Sequence, residues 1–386
     1  MSEAMNRSSR SGRRALTIVI VMLLGAAAVL LLVYTFRQPP KVTADSGELV
    51  EIELKDDFRH RWMIENEQGS IRGPRSDGER VYYLTREGAS AVDGESGEAL
   101  WTTGTAAWGD LALGEGLLAY GGFDRVVRAF DSVTGAEKWQ FRTAELGAAP
   151  AIAPGLVLVG EAGGQLHALD AGTGAERWRL NIASPINWIA ADSGFVAVVS
   201  QASEDTNTLT VARLDDGDVL WKQTDYLRYR SIAVEGGVVL AQGERVNFRP
   251  QTSLLTAYDA ATGKVVWEKQ ASAFVSPFSV LEGALYLGSS GAEGTRLARL
   301  DPKTGVEAWS REVDPMLSPQ TGAVADGLLY YGGVSGLFAA SAASGEPAWR
   351  AGLRAGKPAA PVVAGDSLCF VADGGQRLYA IDLPSR

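Results

Sequence analysis

One short pattern recurs along this chain, and it limits the fold more than any other feature. The pattern is an apolar run, an Asp, a Thr-Gly pair, and a Trp eight residues after the Asp. It is plainest in Phe130-Asp131-Ser132-Val133-Thr134-Gly135-Ala136-Glu137-Lys138-Trp139. It returns at Asp170, Thr173, Gly174 and Trp178, at Asp259, Thr262, Gly263 and Trp267, and at Asp301, Thr304, Gly305 and Trp309. Looser copies run through Asp93, Ser96, Gly97 and Trp101 and through Ser341, Ser344, Gly345 and Trp349. Leu214-Asp215 with Trp221 reads as a copy shortened by two residues. The seven Trp residues lie 38, 39, 43, 46, 42 and 40 positions apart. A fixed period of this length means a repeat architecture.

Each unit reads as a meander of short strands. Asp bonds its own backbone two residues on, and Gly supplies a positive φ, so Asp-x-x-Thr-Gly is a tight turn. Before each Asp lie short apolar runs, such as Gln165–Leu169, Leu156–Val159 and Ala148–Ile152. Four strands in about 40 residues make one β-propeller blade, which buries its faces only against neighbours. Helical periodicity is missing, which disfavours a helical solenoid. One Trp at a fixed position per blade points to packing between blades: Trp62, Trp101, Trp139, Trp178, Trp221, Trp267, Trp309 and Trp349. Trp62 belongs to this set because it precedes Trp101 by 39 residues, one repeat. The last unit, 360–382, has three strands and an Asp but no Trp strand. The expected fold is therefore all-β: an eight-bladed propeller over 59–386, with Trp62 supplying the outer strand of the final blade. Such closure hides the sheet edges that a linear array exposes.

Ahead of the repeats, residues 1–14 carry four Arg, and Ala15–Phe36 holds no charge in 22 positions. About 20 apolar residues span a bilayer, and basic residues before the span keep that end in the cytoplasm. A cleaved signal peptide is the rival reading, with Gly25–Ala28 as the small-residue region. The apolar run continuing through Leu30–Tyr34 favours an uncleaved anchor. The expectation is a basic cytoplasmic tail (1–14), a transmembrane helix (15–36), a linker (37–58) and a propeller outside the inner membrane. Glu48–Lys55, roughly alternating charged and apolar residues, is either a stub strand or part of the tether.

Beyond residue 41 the chain holds 30 Lys/Arg against 45 Asp/Glu. That balance opposes binding to nucleic acid or anionic lipid. The single Cys369 lies in an apolar run and reads as a buried small hydrophobe. His60 and His167 are the only histidines, which with one Cys does not support a metal cluster; counting leaves a triad open, but no Gly-x-Ser-x-Gly elbow is present to carry one. Asp216-Gly-Asp218 and Asp93-Gly-Glu95 are too short for calcium loops. Catalytic, cofactor-binding and metal residues are each expected to be none.

Irregularities in the repeat are the pointers to function. The connections 201–207, 243–251 and 289–294 look enlarged, and they join second to third strands in three consecutive blades. Nearby, Ser184, Pro185, Asn187 and Trp188 carry an extra Trp, and Tyr226, Arg228, Tyr229 and Arg230 interleave aromatics with Arg. Arg245, Phe248 and Arg249 join them. Trp, Tyr and Arg dominate interface hot spots, so these residues form the expected partner-binding patch.

The motif Leu/Tyr-x-Ala-x-Asp-x-x-Thr-Gly-x-x-x-Trp, clear in His167–Trp178 and Tyr379–Asp382, resembles the PQQ-like repeat over about 59–386. Two groups share that repeat. One is the PQQ-dependent dehydrogenases, which are longer; their alcohol-oxidising members place a vicinal Cys pair over the cofactor. The other is the BamB-like scaffolds of outer-membrane protein assembly, which fit the length and blade count. That resemblance implies no enzyme activity and partners among cell-envelope proteins, including an outer-membrane assembly complex, contacted through mid-propeller inter-blade loops. The chain departs from that group in carrying Arg228, Tyr229 and Arg230 where members have acids, and an apolar anchor where they have a lipoprotein signal. The alternative is a quinoprotein dehydrogenase or a small-ligand sensor using the central channel.

Overall fold

The computed structural model describes residues 50–54, 60–66, 70–245, 252–271, 274–275, 278–291, 294–313, 320–333, 336–353, 358 and 360–383. The basic tail, the apolar segment 15–36 and most of the linker lie outside these residues. Residues 48–383 make one compact unit. Within it the strands form eight sheets, each built on a four-stranded antiparallel blade, and the eight make a propeller.

The first three strands of a blade follow each other outward, and the Trp strand is outermost. In blade 2 these are Ala107–Gly114, Leu117–Gly122, Val126–Asp131 and Glu137–Arg142. The second strands of blades 2 and 3 are buried along their whole length because both faces meet a neighbouring blade. Leu118 and Tyr120 pack with Tyr82 and Leu84 of blade 1, while Leu117 and Ala119 pack with Val157 and Val159 of blade 3. This two-sided burial is why those strands read as unbroken apolar runs rather than alternating ones.

The turn that joins third strand to fourth in blades 1–7 does two jobs. Asp131 Oδ1 accepts from the Thr134 backbone N–H at 2.9 Å and from its hydroxyl at 3.0 Å. Asp170, Asp259 and Asp301 repeat this with Thr173, Thr262 and Thr304, and Asp93 does so with Ser96. The second job is inter-blade. The indole of Trp139 lies on Gly174 so closely that a Cβ there would sit 2.6 Å from the ring. The same holds for Trp62 on Gly97, Trp101 on Gly135, Trp178 on Gly217, Trp221 on Gly263, Trp267 on Gly305 and Trp309 on Gly345. Each of these seven indoles also donates Nε1–H to the carbonyl of the residue after the cap position, at 2.9–3.1 Å. A ladder irregularity just before each Trp of blades 1–7 sets the ring's direction.

Ring closure follows the expected route. Trp62–Glu65 pairs antiparallel with Arg377–Asp382, Trp62 opposite Ala380. The open question of the Glu48–Lys55 segment resolves as a strand, Val50–Leu54. It adds in parallel to the outer strand of blade 7, Pro347–Leu353, with Val50 opposite Trp349. The alternation of Val50, Ile52 and Leu54 with Glu51 and Glu53 suits a strand. The folded unit thus starts before residue 59.

Two local expectations are corrected. The blade 4 unit is not shortened: Gly217 N–H bonds the carbonyl of Arg213, just as Gly174 N–H bonds that of Asp170. Arg213 therefore holds the cap position and bonds Asp216 and Asp218 in place of an Asp–Thr cap, with Asp215 also within ion-pair range at 3.6 Å. The segment Ser289–Gly294 is not an enlarged loop. The hairpin strands extend, with Ser289 opposite Arg296 and Gly291 opposite Gly294, because small β-compatible residues prolong the ladder.

Two outcomes test the turn. Gly174→Ala and Gly155→Ala share a positive φ, but only Gly174 is covered by an indole. Urea unfolding should show Gly174→Ala costing about 1–3 kcal/mol more, the overpacking term. The capping bonds hold the carboxyls of Asp93, Asp131, Asp259 and Asp301 below their ordinary range, and the Arg177 bond, with the Thr173 cap adding to it, holds Asp170 at about 2. Their contribution is complete above the unfolded carboxylate value of about 4 and is lost as pH falls through the depressed folded values. The thermal midpoint should drop between about pH 5 and pH 2, less steeply in Asp131→Asn/Asp259→Asn.

Candidate interaction surface

Second-to-third-strand turns and connections between blades share one face of a propeller, opposite the Thr-Gly turns. On that face, blades 4 and 5 present a set of side chains pushed outward by irregular inner strands. The inner strand of blade 4, Ile186–Asp192, shifts register between Ile186 and Trp188. Ile186 is fully buried, in contact range of Gly160. The extra residue of a bulge puts two successive side chains on the same side. Asn187 and Trp188 are accordingly both exposed, and Trp188, at 46%, is the exposed one among the ten Trp side chains. Pro185 beside them is exposed, with its carbonyl accepting from Gln201 N–H at 3.0 Å; Ser184 is half-buried.

The corner between blades 4 and 5 is organised by Asp225. Its carboxylate accepts from Leu227 N–H at 3.1 Å and from the Tyr229 hydroxyl at 2.8 Å. Leu227 and Tyr229 enter the core between the two blades, and Asn207 Nδ2 donates to the Leu227 carbonyl at 2.7 Å. Strand alternation then turns Tyr226 and Arg228 outward, Tyr226 to 64% exposure. Burial raises the Asp225 carboxyl, against the lowering by its Tyr229 bond. Burial also raises the Tyr229 phenol, with the facing Asp225 charge adding to it. Arg230 is the extra residue of a second bulge, between Tyr229 and Ser231, and its Nη2 meets Glu244 Oε2 at 2.7 Å.

Not every residue expected in the patch lies on it. Tyr229 is buried at 5% exposure and serves the core instead, because the aromatics flanking Arg228 alternate sides. Arg245 ends the strand Val238–Arg245 and is exposed there, on a strand rather than a loop. Phe248 and Arg249 lie outside the described residues. Phe123 was missed: at 65% exposure it projects from the blade 2 turn on the same face. Its signal was an aromatic inside a Gly-Gly-Phe-Asp turn, where packing does not call for one.

Elsewhere the described residues bring no chemistry together. His167 is buried beside Phe141, with Nδ1 3.0 Å from Glu176 and Nε2 3.5 Å from Glu161. Glu161 in turn accepts from Ala144 N–H at 2.8 Å, pinning the connection between blades 2 and 3. His60 is in blade 8 against Tyr379. Among the described residues, no three His, Cys, Asp or Glu side chains are placed to hold a metal ion. Cys369 is buried, and burial pushes its thiol up to about 12. None of the described residues forms a helix long and apolar enough to cross a membrane.

The family model described as outer membrane protein assembly factor BamB matches residues 42–201, 123–232, 205–318 and 293–385. The chain belongs to this BamB family. No curated protein matches it in sequence. Solved structures share the fold at low identity. BamB from Moraxella catarrhalis superposes with a TM-score of 0.55 at 16% identity, covering 83% of this chain and 98% of that one. The quinohemoprotein alcohol dehydrogenase from Comamonas testosteroni gives 0.58 at 16%, covering 85% and 77%. The computationally designed Ika8 protein gives 0.68 at 15%, covering 84% and 99%. BamB and quinoprotein dehydrogenases are thus both structural neighbours of this BamB-family chain.

Tyr229→Phe tests the corner. It leaves the Asp225 carboxylate without its hydroxyl donor and should cost about 1–3 kcal/mol at neutral pH. Losing that bond raises the Asp225 carboxyl further, so the deficit should shrink as pH falls and the group protonates, measured by urea unfolding at pH 7 and pH 4.

Proposed function

We propose that this chain is a non-catalytic scaffold of the bacterial cell envelope. Residues 15–36 anchor it in the inner membrane, the propeller lies outside the cytoplasm, and one face holds another envelope protein. The observation that carries this reading is the outward placement of Trp188, Tyr226 and Arg228 on adjacent blades. A monomeric surface has little reason to expose a Trp, a Tyr and an Arg on one face of adjacent blades, whereas interface hot spots use these types. Family membership supports the same direction, toward assembly of outer-membrane proteins. An ordinary interface buries about 800 Å² per partner, which one propeller face supplies.

The test is a pull-down from native membranes with the full-length chain and its Trp188→Ala, Tyr226→Ala and Arg228→Ala variants. These side chains are exposed, so the thermal midpoint should stay unchanged while partner recovery falls, by about 2 kcal/mol or roughly thirtyfold in affinity for a hot-spot residue. Retention of every partner by the triple variant refutes the patch. Dye reduction by the purified protein with PQQ, calcium and an alcohol or sugar refutes the non-catalytic reading and favours a quinoprotein.

A further inference from the structure

Seven of the eight inter-blade junctions carry the same lock, an indole seated on a turn glycine and bonded to a turn carbonyl. The junction between blades 7 and 8 does not. Trp349 is 3% exposed, and its buried Nε1 meets no acceptor among the described residues. A buried donor left unpaired costs about 1–3 kcal/mol, so this junction lacks a contribution that the others have. The cause is topological. Blade 8 takes its outer strand, Trp62–Glu65, from the other end of the chain, so no Thr-Gly hairpin joins its third strand to its fourth. Asp382, which stands where the other turns have their capping Asp, is instead 2.5 Å from Arg61 Nε.

At this same junction the structure carries a strand that the repeat does not call for. Val50–Leu54 pairs with the strand that bears Trp349, and Val50 lies opposite Trp349 itself. The chain then proceeds to Trp62–Glu65 in blade 8. One continuous stretch therefore pairs with the outer strand of blade 7 and supplies that of blade 8. We propose that Val50–Leu54 is the clasp of the ring: it secures the junction between blades 7 and 8 in place of the missing lock. Without it, the propeller opens at this seam first.

Hydrogen exchange on the full-length protein in detergent tests this. In one variant Val50–Leu54 becomes Gly-Ser-Gly-Ser-Gly; in a control, residues 42–46 receive the same replacement. Exchange in 347–353 and 377–382 should quicken about tenfold or more in the first variant, with 165–170 of blade 3 unchanged, as for local opening. The control should match the parent. Unchanged exchange at 377–382, or equal acceleration in all blades, overturns the proposal. A second pair keeps the lock itself testable. Trp309→Phe, which breaks a 3.0 Å bond to Ala342, should lower the thermal midpoint more than Trp349→Phe, which breaks none. An equal or larger loss at Trp349 also overturns it.

Discussion

An indole from one blade lies flat on a glycine of the next and gives its one polar hydrogen to a carbonyl in the same turn. The rest of the structure depends on this contact. A four-stranded blade with two apolar faces has no independent core, so its stability is set by how well it registers with its neighbours. The contact needs an aromatic with a donor at its edge, a position without a Cβ, and a turn that holds its carbonyl still, in most blades through a capping Asp. Those three requirements are the Trp, the Gly and the Asp of the repeated pattern. The pattern is therefore written within one unit but read between two.

This explains where the molecule tolerates irregularity. Blade 4 replaces its capping Asp by Arg213 and still seats Trp178 on Gly217, because the glycine and the carbonyl matter more than the identity of the cap. The inner strands bulge in several blades without disturbing the ring, since the locks lie at the outer strands. That separation leaves the inner ends of blades 4 and 5 free to carry Trp188, Tyr226 and Arg228 on the surface. Closure is the exception. Joining a ring through strands from both chain ends removes one hairpin, and the contact built on that hairpin goes with it.

Much of this was legible in the residues. The blade count, the strand order and the pairing of Trp62 with the last unit followed from a fixed period and from turn chemistry, both local properties. The patch was legible only in part. Residue type pointed to Tyr226, Arg228, Tyr229 and Arg230 together, yet Tyr229 is core and Arg230 is held by the buried Glu244. A bulge shifts strand parity by one, and no residue type announces where it falls.

By itself, then, the sequence determined the repeat: eight like units, their turns, and the single aromatic each offers its neighbour. These depend on short-range periodicity, which a linear string records. Only the tertiary structure decided which aromatics face water, that Arg213 takes an acid's place, that Val50–Leu54 joins blade 7, and that Trp349 keeps an unpaired hydrogen. Apart from the Arg213 turn, which is local, each of those is a relation between separate segments of the chain, set by register and by the need to close a circle, and neither is written at any one position.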